Sequence, residues 1–205
     1  MPGYLVPPTK NPGDVLTSAL WNSYIRDNLD FGMVRPIADT ILGASAASID
    51  FTSIPQTFAH LLLVVQARGD AVATNVDLFA RCNGDAAGNY DYEQAFASAS
   101  AMAVAESLAT AGGLYLGGIA AASASAAGHN GCSFAVIPNY AKTTLEKLAT
   151  IINSYKYGTT TGTVRAQLLA SFWRSTAAIN QLTVRPSSGN LVAGTRATLV
   201  GMGGI

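Results

Sequence analysis

Turn residues divide the chain from Ile37 onward into short apolar segments, with a turn every 8 to 15 residues. In the clearest segment, residues 76–82, apolar positions alternate with polar ones up to Asn83-Gly84, a dipeptide typical of tight hairpins. Ile49, Phe51 and Ile54 mark one more segment, and others occupy residues 59–68, 90–93, 114–119, 132–137, 148–155, 164–173, 180–185 and 196–202. About ten short strands predict an all-β fold, and a jelly-roll-like β-sandwich is the simplest arrangement for them.

Two stretches of the chain are rich in small residues. Residues 95–110 are alanine-rich and suit a short helix as well as strands, so both interpretations stay open. Residues 108–128 contain no charged side chain, but 13 of these 21 residues are Ala or Gly, and Gly-Gly pairs weaken a helix. We therefore expect strands joined by loops there, and no membrane span.

The N-terminal 36 residues differ from the rest of the chain. Residues 1–13 contain four prolines and predict an extended arm, because proline fixes φ and lacks an N–H. Residues 17–31 predict one helix, capped by Asp14 or Thr17 and ended by Gly32. Its apolar stripe, formed by Leu16, Leu20, Trp21, Tyr24, Ile25 and Leu29, needs a surface to pack on, either the protein's own body or another molecule. We therefore predict an attachment segment at 1–36, with Leu20, Trp21, Tyr24, Ile25 and Leu29 as its contact residues, and a β-sandwich domain at 37–205.

The charge of the chain excludes a general nucleic-acid binder. Twelve basic and twelve acidic side chains give a net charge of zero, whereas such binders need a basic excess. The charges are unevenly placed, since residues 37–141 carry a net −6 and residues 142–205 a net +6. Late strands that pair with early ones would neutralise this difference, and a dipolar surface that docks copies or an anionic polymer is the alternative.

No combination of residues predicts catalysis. His60 and His129 are the only histidines, and no Gly-x-Ser-x-Gly elbow accompanies them. The glycine-rich stretches lack the Lys-Ser/Thr of a phosphate loop, so we expect no cofactor. Cys82 and Cys132 are more typical of buried thiols than of a disulfide. A hydrolase that uses either histidine is the remaining enzymatic alternative.

The segment 83–93 holds the strongest candidates for ligand binding. Its several oxygen-bearing side chains suit Ca²⁺, but their spacing is not that of an EF-hand and turns use the same residues, so we predict no metal site. Tyr90 and Tyr92 are candidates for stacking on a sugar, which makes a carbohydrate-binding module a further alternative.

Residues 11–29, NPGDVLTSALWNSYIRDNL, resemble a short N-terminal element of tailed-bacteriophage virion proteins. The similarity lies in Gly13, Leu16-Thr17, Trp21-Asn22 and the run 26–29, while Ser18 replaces a common alanine. The body is similar in outline to the β-sandwich domains that often follow this element. The matching features are Ile54-Pro55, Asn83-Gly84-Asp85 with Tyr90, and the strand 179–184 before Gly194-Thr195-Arg196.

This resemblance implies a non-enzymatic component of the virion, located at the tail or on the capsid surface. The implied role is a tail-tip or tail-fibre protein that docks by its N-terminus onto other virion proteins and contacts the host surface, including host glycans. The resemblance also implies a homo-oligomer, commonly a trimer. A capsid decoration protein is the alternative within the same class.

Overall fold

A computed structural model describes residues 17–18, 34–121, 124–159 and 161–204 of the chain. Of the predicted helix 17–31, only Thr17 and Ser18 belong to this part. The predicted contact residues Leu20, Trp21, Tyr24, Ile25 and Leu29 lie outside the described residues, and their roles stay predictions.

The fold is all-β, with twelve strands between Val34 and Gly204. They are β1 (Val34–Ile41), β2 (Ile49–Phe51), β3 (Phe58–Gly69), β4 (Asn75–Cys82), β5 (Tyr90–Ser98), β6 (Ala101–Thr110), β7 (Leu114–Ala121), β8 (Gly131–Pro138), β9 (Lys147–Tyr157), β10 (Thr163–Trp173), β11 (Leu182–Pro186) and β12 (Arg196–Gly204). All ten strands predicted from the apolar segments are present.

The strands form two sheets that enclose one core. Sheet A has the order β1-β12-β3-β8-β9-β10-β5-β6, and sheet B has the order β2-β11-β4-β7. Neighbours are antiparallel, except where the last residues of β3 and β7 pair in parallel and join the sheets. Most connections between consecutive strands cross from one sheet to the other, as they do in a jelly roll. The predicted jelly-roll-like sandwich is therefore confirmed. The core contains the inward side chains of both sheets, among them Leu61, Leu63, Leu78 and Ile151.

Two segments differ from the simplest sequence prediction. Residues 95–110 form no helix but a hairpin, because β5 pairs with β10 along its whole length and β6 pairs with β5. Ala99 and Ser100 both have positive φ, as the tightest two-residue hairpin turns require. Strand β1 begins at Val34, three residues before the predicted boundary at 37, and its register shifts between Pro36 and Ala38. Proline is tolerated there because β1 is an edge strand.

Strand β7 is the edge of sheet B and lies against the inner face of sheet A. Side chains of sheet A form hydrogen bonds with the backbone groups on the free edge of β7. Ser133 donates to the Leu116 carbonyl. At Gly118, Gln167 accepts from the N–H and Asn153 donates to the carbonyl. A Cβ on Gly118 would lie 2.5 Å from the Tyr155 ring. Glycine therefore lets this edge come close enough for its hydrogen bonds to form.

Candidate interaction surface

The outward side of sheet A carries apolar side chains from β3 to β6. Directly opposed residues on neighbouring strands point to the same side, so the register shows which side chains lie together. One row crosses six strands without a charge, and it consists of Val64, Phe134, Ile152, Leu168, Ala95 and Val104. Phe134, Ile152 and Leu168, at its centre, are 49%, 62% and 57% exposed. We call this row, together with Met102, Val136, Val164, Ala166 and Phe172, the outer apolar face.

Strand β10 contributes most to this face. Its outward side chains are all apolar, namely Val164, Ala166, Leu168, Ala170 and Phe172. Its inward side chains include Gln167 and Ser171, which are buried. Ser171 accepts a hydrogen bond from the Tyr115 N–H of β7. Strand β10 therefore buries two polar side chains beside the core residues Leu169 and Trp173, while its outward side is entirely apolar.

Polar groups border the outer apolar face at both sides. On β1 and β12, Arg196 donates two hydrogen bonds to the Asp39 carboxylate, at 2.9 and 2.8 Å, and Thr198 donates a third at 2.6 Å. These bonds hold the pKa of Asp39 below its usual range. On the other side, Glu93 and Glu106 are exposed and directly opposite each other. Because opposed like charges repel, that border favours a cation from a partner.

A groove lies at one end of the outer apolar face. The connection between β8 and β9 encloses a volume of about 680 Å³ over Leu148 and Phe172. Pro138 and Leu145 add apolar walls, and Lys142 and Glu146 add one charge of each sign. This groove extends the apolar surface toward the β8–β9 connection.

Of the two predicted sugar-contact residues, Tyr90 lies in the core. Its ring is 0% exposed and stacks against Trp173, with ring centroids 6.4 Å apart. Its hydroxyl accepts from the Cys82 N–H and donates to the Asp85 carbonyl, and burial raises its pKa. The prediction for Tyr90 is therefore wrong, since the ring has no face open to a sugar. Tyr92 is half-buried, and its role stays a prediction.

The carboxylate of Asp85 organises the 83–93 segment. It accepts hydrogen bonds from the Ala87 N–H at 2.9 Å, the Asn89 amide at 2.9 Å and the Trp173 indole at 2.7 Å. The bonds from Asn89 and Trp173 lower the pKa of this carboxyl group. Across the part of the chain that the structure describes, no group of three or more His, Cys, Asp and Glu side chains could hold a metal ion. The hydrogen bonds that Asp85 accepts from Ala87 and Asn89 hold this oxygen-rich segment in a turn.

The histidines and cysteines occupy different parts of the sandwich, and Cys132 lies on the outward side of β8, two positions from Phe134. His60 accepts a hydrogen bond from the Asn139 N–H at 3.3 Å, and the side chain of His129 is buried in the connection between β7 and β8. Cys82 and Cys132 are free thiols; Cys82 is buried as predicted, whereas Cys132 is only partly buried. Burial raises the pKa of both thiols, which keeps them protonated at neutral pH.

Two cations hold loops by binding backbone carbonyls. Arg68 donates to the carbonyls of residues 125, 126 and 129, at 2.6 to 2.8 Å. Lys147 is buried and donates to the Leu145 and Thr176 carbonyls at 2.9 and 3.0 Å, and burial lowers its pKa. These two cations stabilise the connections at the ends of sheet A.

Two ion pairs join the acidic and the basic parts of the chain. Arg196 lies 2.8 Å from the Asp39 carboxylate, and Arg174 lies 3.3 Å from that of Asp91. Each pair links a carboxylate from residues 37–141 to a cation from residues 142–205. Pairing between early and late strands, the first of the two interpretations of the charge difference, is thus present.

Periodicity in the sequence could have indicated the outer apolar face. Ile151-Ile152 on β9 and Leu168-Leu169 on β10 place large apolar residues at consecutive positions, so they occupy both sides of the sheet. Such pairs indicate a strand with apolar surroundings on both faces.

Comparison of the chain with protein-family models, with curated proteins and with solved structures found no match. Among the described residues, no helix combines the length and the apolar character that crossing a bilayer would need.

Proposed function

We propose that this chain is a non-enzymatic structural protein of a tailed-bacteriophage virion, a tail-tip or tail-fibre component that docks by residues 1–36 and presents its β-sandwich to the host surface. The observation that carries the proposal is the outer apolar face, whose uncharged centre is exposed among the described residues. Such a face needs a protein partner, as expected of a component of an assembled particle rather than of an enzyme. Large exposed apolar patches are typical of contacts between proteins, whereas small substrates bind in concave pockets. The resemblance of residues 11–29 to virion proteins supplies the biological setting.

Labelling of purified virions tests the location. A gold-conjugated antibody against residues 37–205 is expected at the tail in electron micrographs. Gold spread over the head would favour the decoration protein instead. Particles without gold would contradict the virion assignment and leave a free binding module as the best alternative.

Substitutions on the predicted helix test the attachment. Trp21→Ala combined with Ile25→Asp removes two members of the apolar stripe and is expected to abolish incorporation into particles. Ser18→Ala combined with Ser23→Ala, on the same segment but off the stripe, is the matched control. Normal incorporation of the first variant would show that the stripe does not attach the protein.

Glycan binding at the host surface depends on Tyr92, since Tyr90 is buried. Tyr92→Ala is expected to weaken binding on a host-glycan array, while Tyr157→Ala serves as a tyrosine control from another strand. Equal binding of both variants and the unaltered protein would remove Tyr92 from the proposal.

A further inference from the structure

We infer that the outer apolar face is a contact between copies of this chain. This surface is distinct from the predicted N-terminal attachment segment and does not depend on the virion assignment. Its occupant is a second copy that presents the same face.

The size of the face fits this occupant. Six strands at a spacing of about 4.8 Å give a width of roughly 24 Å, and the outward residues of β10 span roughly 27 Å. The outer side of these strands therefore covers roughly 650 Å², with polar positions such as Thr150, Ser154 and Glu93 among the apolar ones. This area approaches the about 800 Å² per partner of a standard interface. The adjoining groove at Leu145 and Leu148 adds apolar surface at the same end.

The chemistry of the face fits the same occupant. The central row offers a partner no charge and no strong hydrogen-bonding side chain, so the partner must itself be apolar and nearly flat. A second outer apolar face has both properties, and two sheets packed face to face at about 10 Å are a common arrangement.

The charges at the border distinguish a second copy from an anionic surface. Glu93 and Glu106 face each other at one side of the face. Lys156 lies near the C-terminal end of β9 and points outward. A second copy supplies a cation for the carboxylates, whereas a phospholipid surface or a nucleic acid would add negative charge beside them.

The mass of the full-length protein in solution tests the interface. Ile152→Lys with Leu168→Glu charges the centre of the face, and because these residues are directly opposed, the new charges attract each other within the sheet. At about 100 µM, we expect the unaltered protein to form oligomers and this variant to have the single-chain mass of 21.1 kDa. Val72→Glu is the control, since Val72 is 95% exposed and lies in the connection between β3 and β4. It should leave the oligomer unchanged, and because the two copies present the same face, the oligomer is expected to have the mass of two chains.

Thiol labelling provides a second test with a milder substitution. Ile152→Cys in a Cys132→Ser background places one accessible thiol on the face, because Cys82 is buried. Its reaction with a maleimide is expected to slow about tenfold or more between about 1 µM and about 100 µM protein. Val72→Cys in the same background should react equally fast at both concentrations.

Three outcomes would overturn the inference. If the protein is a single chain at about 100 µM and the Ile152→Cys thiol reacts fast, the face is free. If the protein is a single chain and that thiol is still protected, the protein's own residues 17–31 cover it. If the charged variant remains an oligomer, the copies meet elsewhere. None of these results affects the labelling of virions, so the interface and the virion assignment can fail separately.

Discussion

The two faces of strands β8, β9 and β10 differ in what lies against them, since the inner face packs on sheet B and no described element covers the outer face. Inside, the polar side chains of Ser133, Asn153, Gln167 and Ser171 are buried among apolar neighbours. Outside, the large apolar side chains of Phe134, Ile152 and Leu168 face solvent. Side chains of these strands are therefore buried where another element packs against their face, whether they are polar or apolar. The inner polar groups bind the unpaired backbone of β7, while no element among the described residues packs on the outer apolar groups.

Substituting two consecutive residues of β9 is the strongest test of this comparison. Ile151 is completely buried in the core and Ile152 is 62% exposed. We expect Ile151→Ala to lower the free energy of unfolding by about 2–5 kcal/mol, because it leaves a cavity. Ile152→Ala should change it by no more than about 0.5 kcal/mol. Urea denaturation of the dilute protein measures both, and similar losses would contradict the assignment of the faces.

Removing one inner polar group should have a smaller effect. Gln167→Met keeps the approximate size of the side chain but leaves the buried Gly118 N–H without its acceptor. The expected loss is about 1–3 kcal/mol in the free energy of unfolding, the desolvation cost of an unpaired buried donor. Gln66→Met, at an exposed position of β3, is the control. A stabilised Gln167→Met protein would mean that β7 does not need this bond.

On the outer side, even charge reversal should be tolerated. Glu106→Lys replaces a repulsive pair with Glu93 by an attractive one, so we expect a gain of about 0.2–1 kcal/mol in the free energy of unfolding. Glu146→Lys, in the β8–β9 connection, controls for the change in net charge. A marked loss of stability would indicate that Glu106 has a partner that the fold alone does not show.

The smallest expected effect is a pH dependence of the free energy of unfolding that arises from Asp85, which lies beside Trp173 at the C-terminal end of β10. Hydrogen bonds from Asn89 and Trp173 lower the pKa of Asp85 in the folded protein. The folded state is therefore favoured above the ordinary pKa near 4, and this contribution is lost as the pH falls through the lower folded value. Urea midpoints from pH 6 downward should fall less steeply for Asp85→Asn than for the unaltered protein. Parallel curves would show that another carboxyl group controls the acid response.

Local patterns predicted most of the fold. Alternation and turn residues such as Asn83-Gly84 located ten strands, because strands with one wet face and tight turns leave clear signals. The same logic could not place β6, since an alanine-rich edge strand has no periodicity of its own and depends on pairing with β5. Strand β1 was partly missed because Pro36 is unusual in a strand and is tolerated only at an edge.

The candidate surface was less predictable than the fold. In β10, alternation alone would turn Leu168 inward and Gln167 outward, and the structure has the reverse. The cause lies more than forty residues away, in the unpaired edge of β7 at Gly117-Gly118. The prediction that Tyr90 lies at the surface was wrong for a similar reason. The partners that bury its ring and bind its hydroxyl, Trp173 and Cys82, come from other strands.

The position of β12 has a consequence for folding during synthesis. Strand β12 is the last of the described strands in chain order, yet it lies between β1, the first of them, and β3, the longest. Until residues 196–204 emerge from the ribosome, β1 has no neighbour and one edge of β3 stays open. Closure between such distant segments is slow, and open apolar edges recruit other chains. A chain that stalls before Arg196 is therefore the form most prone to aggregate, and a chaperone would have to shield it at β3.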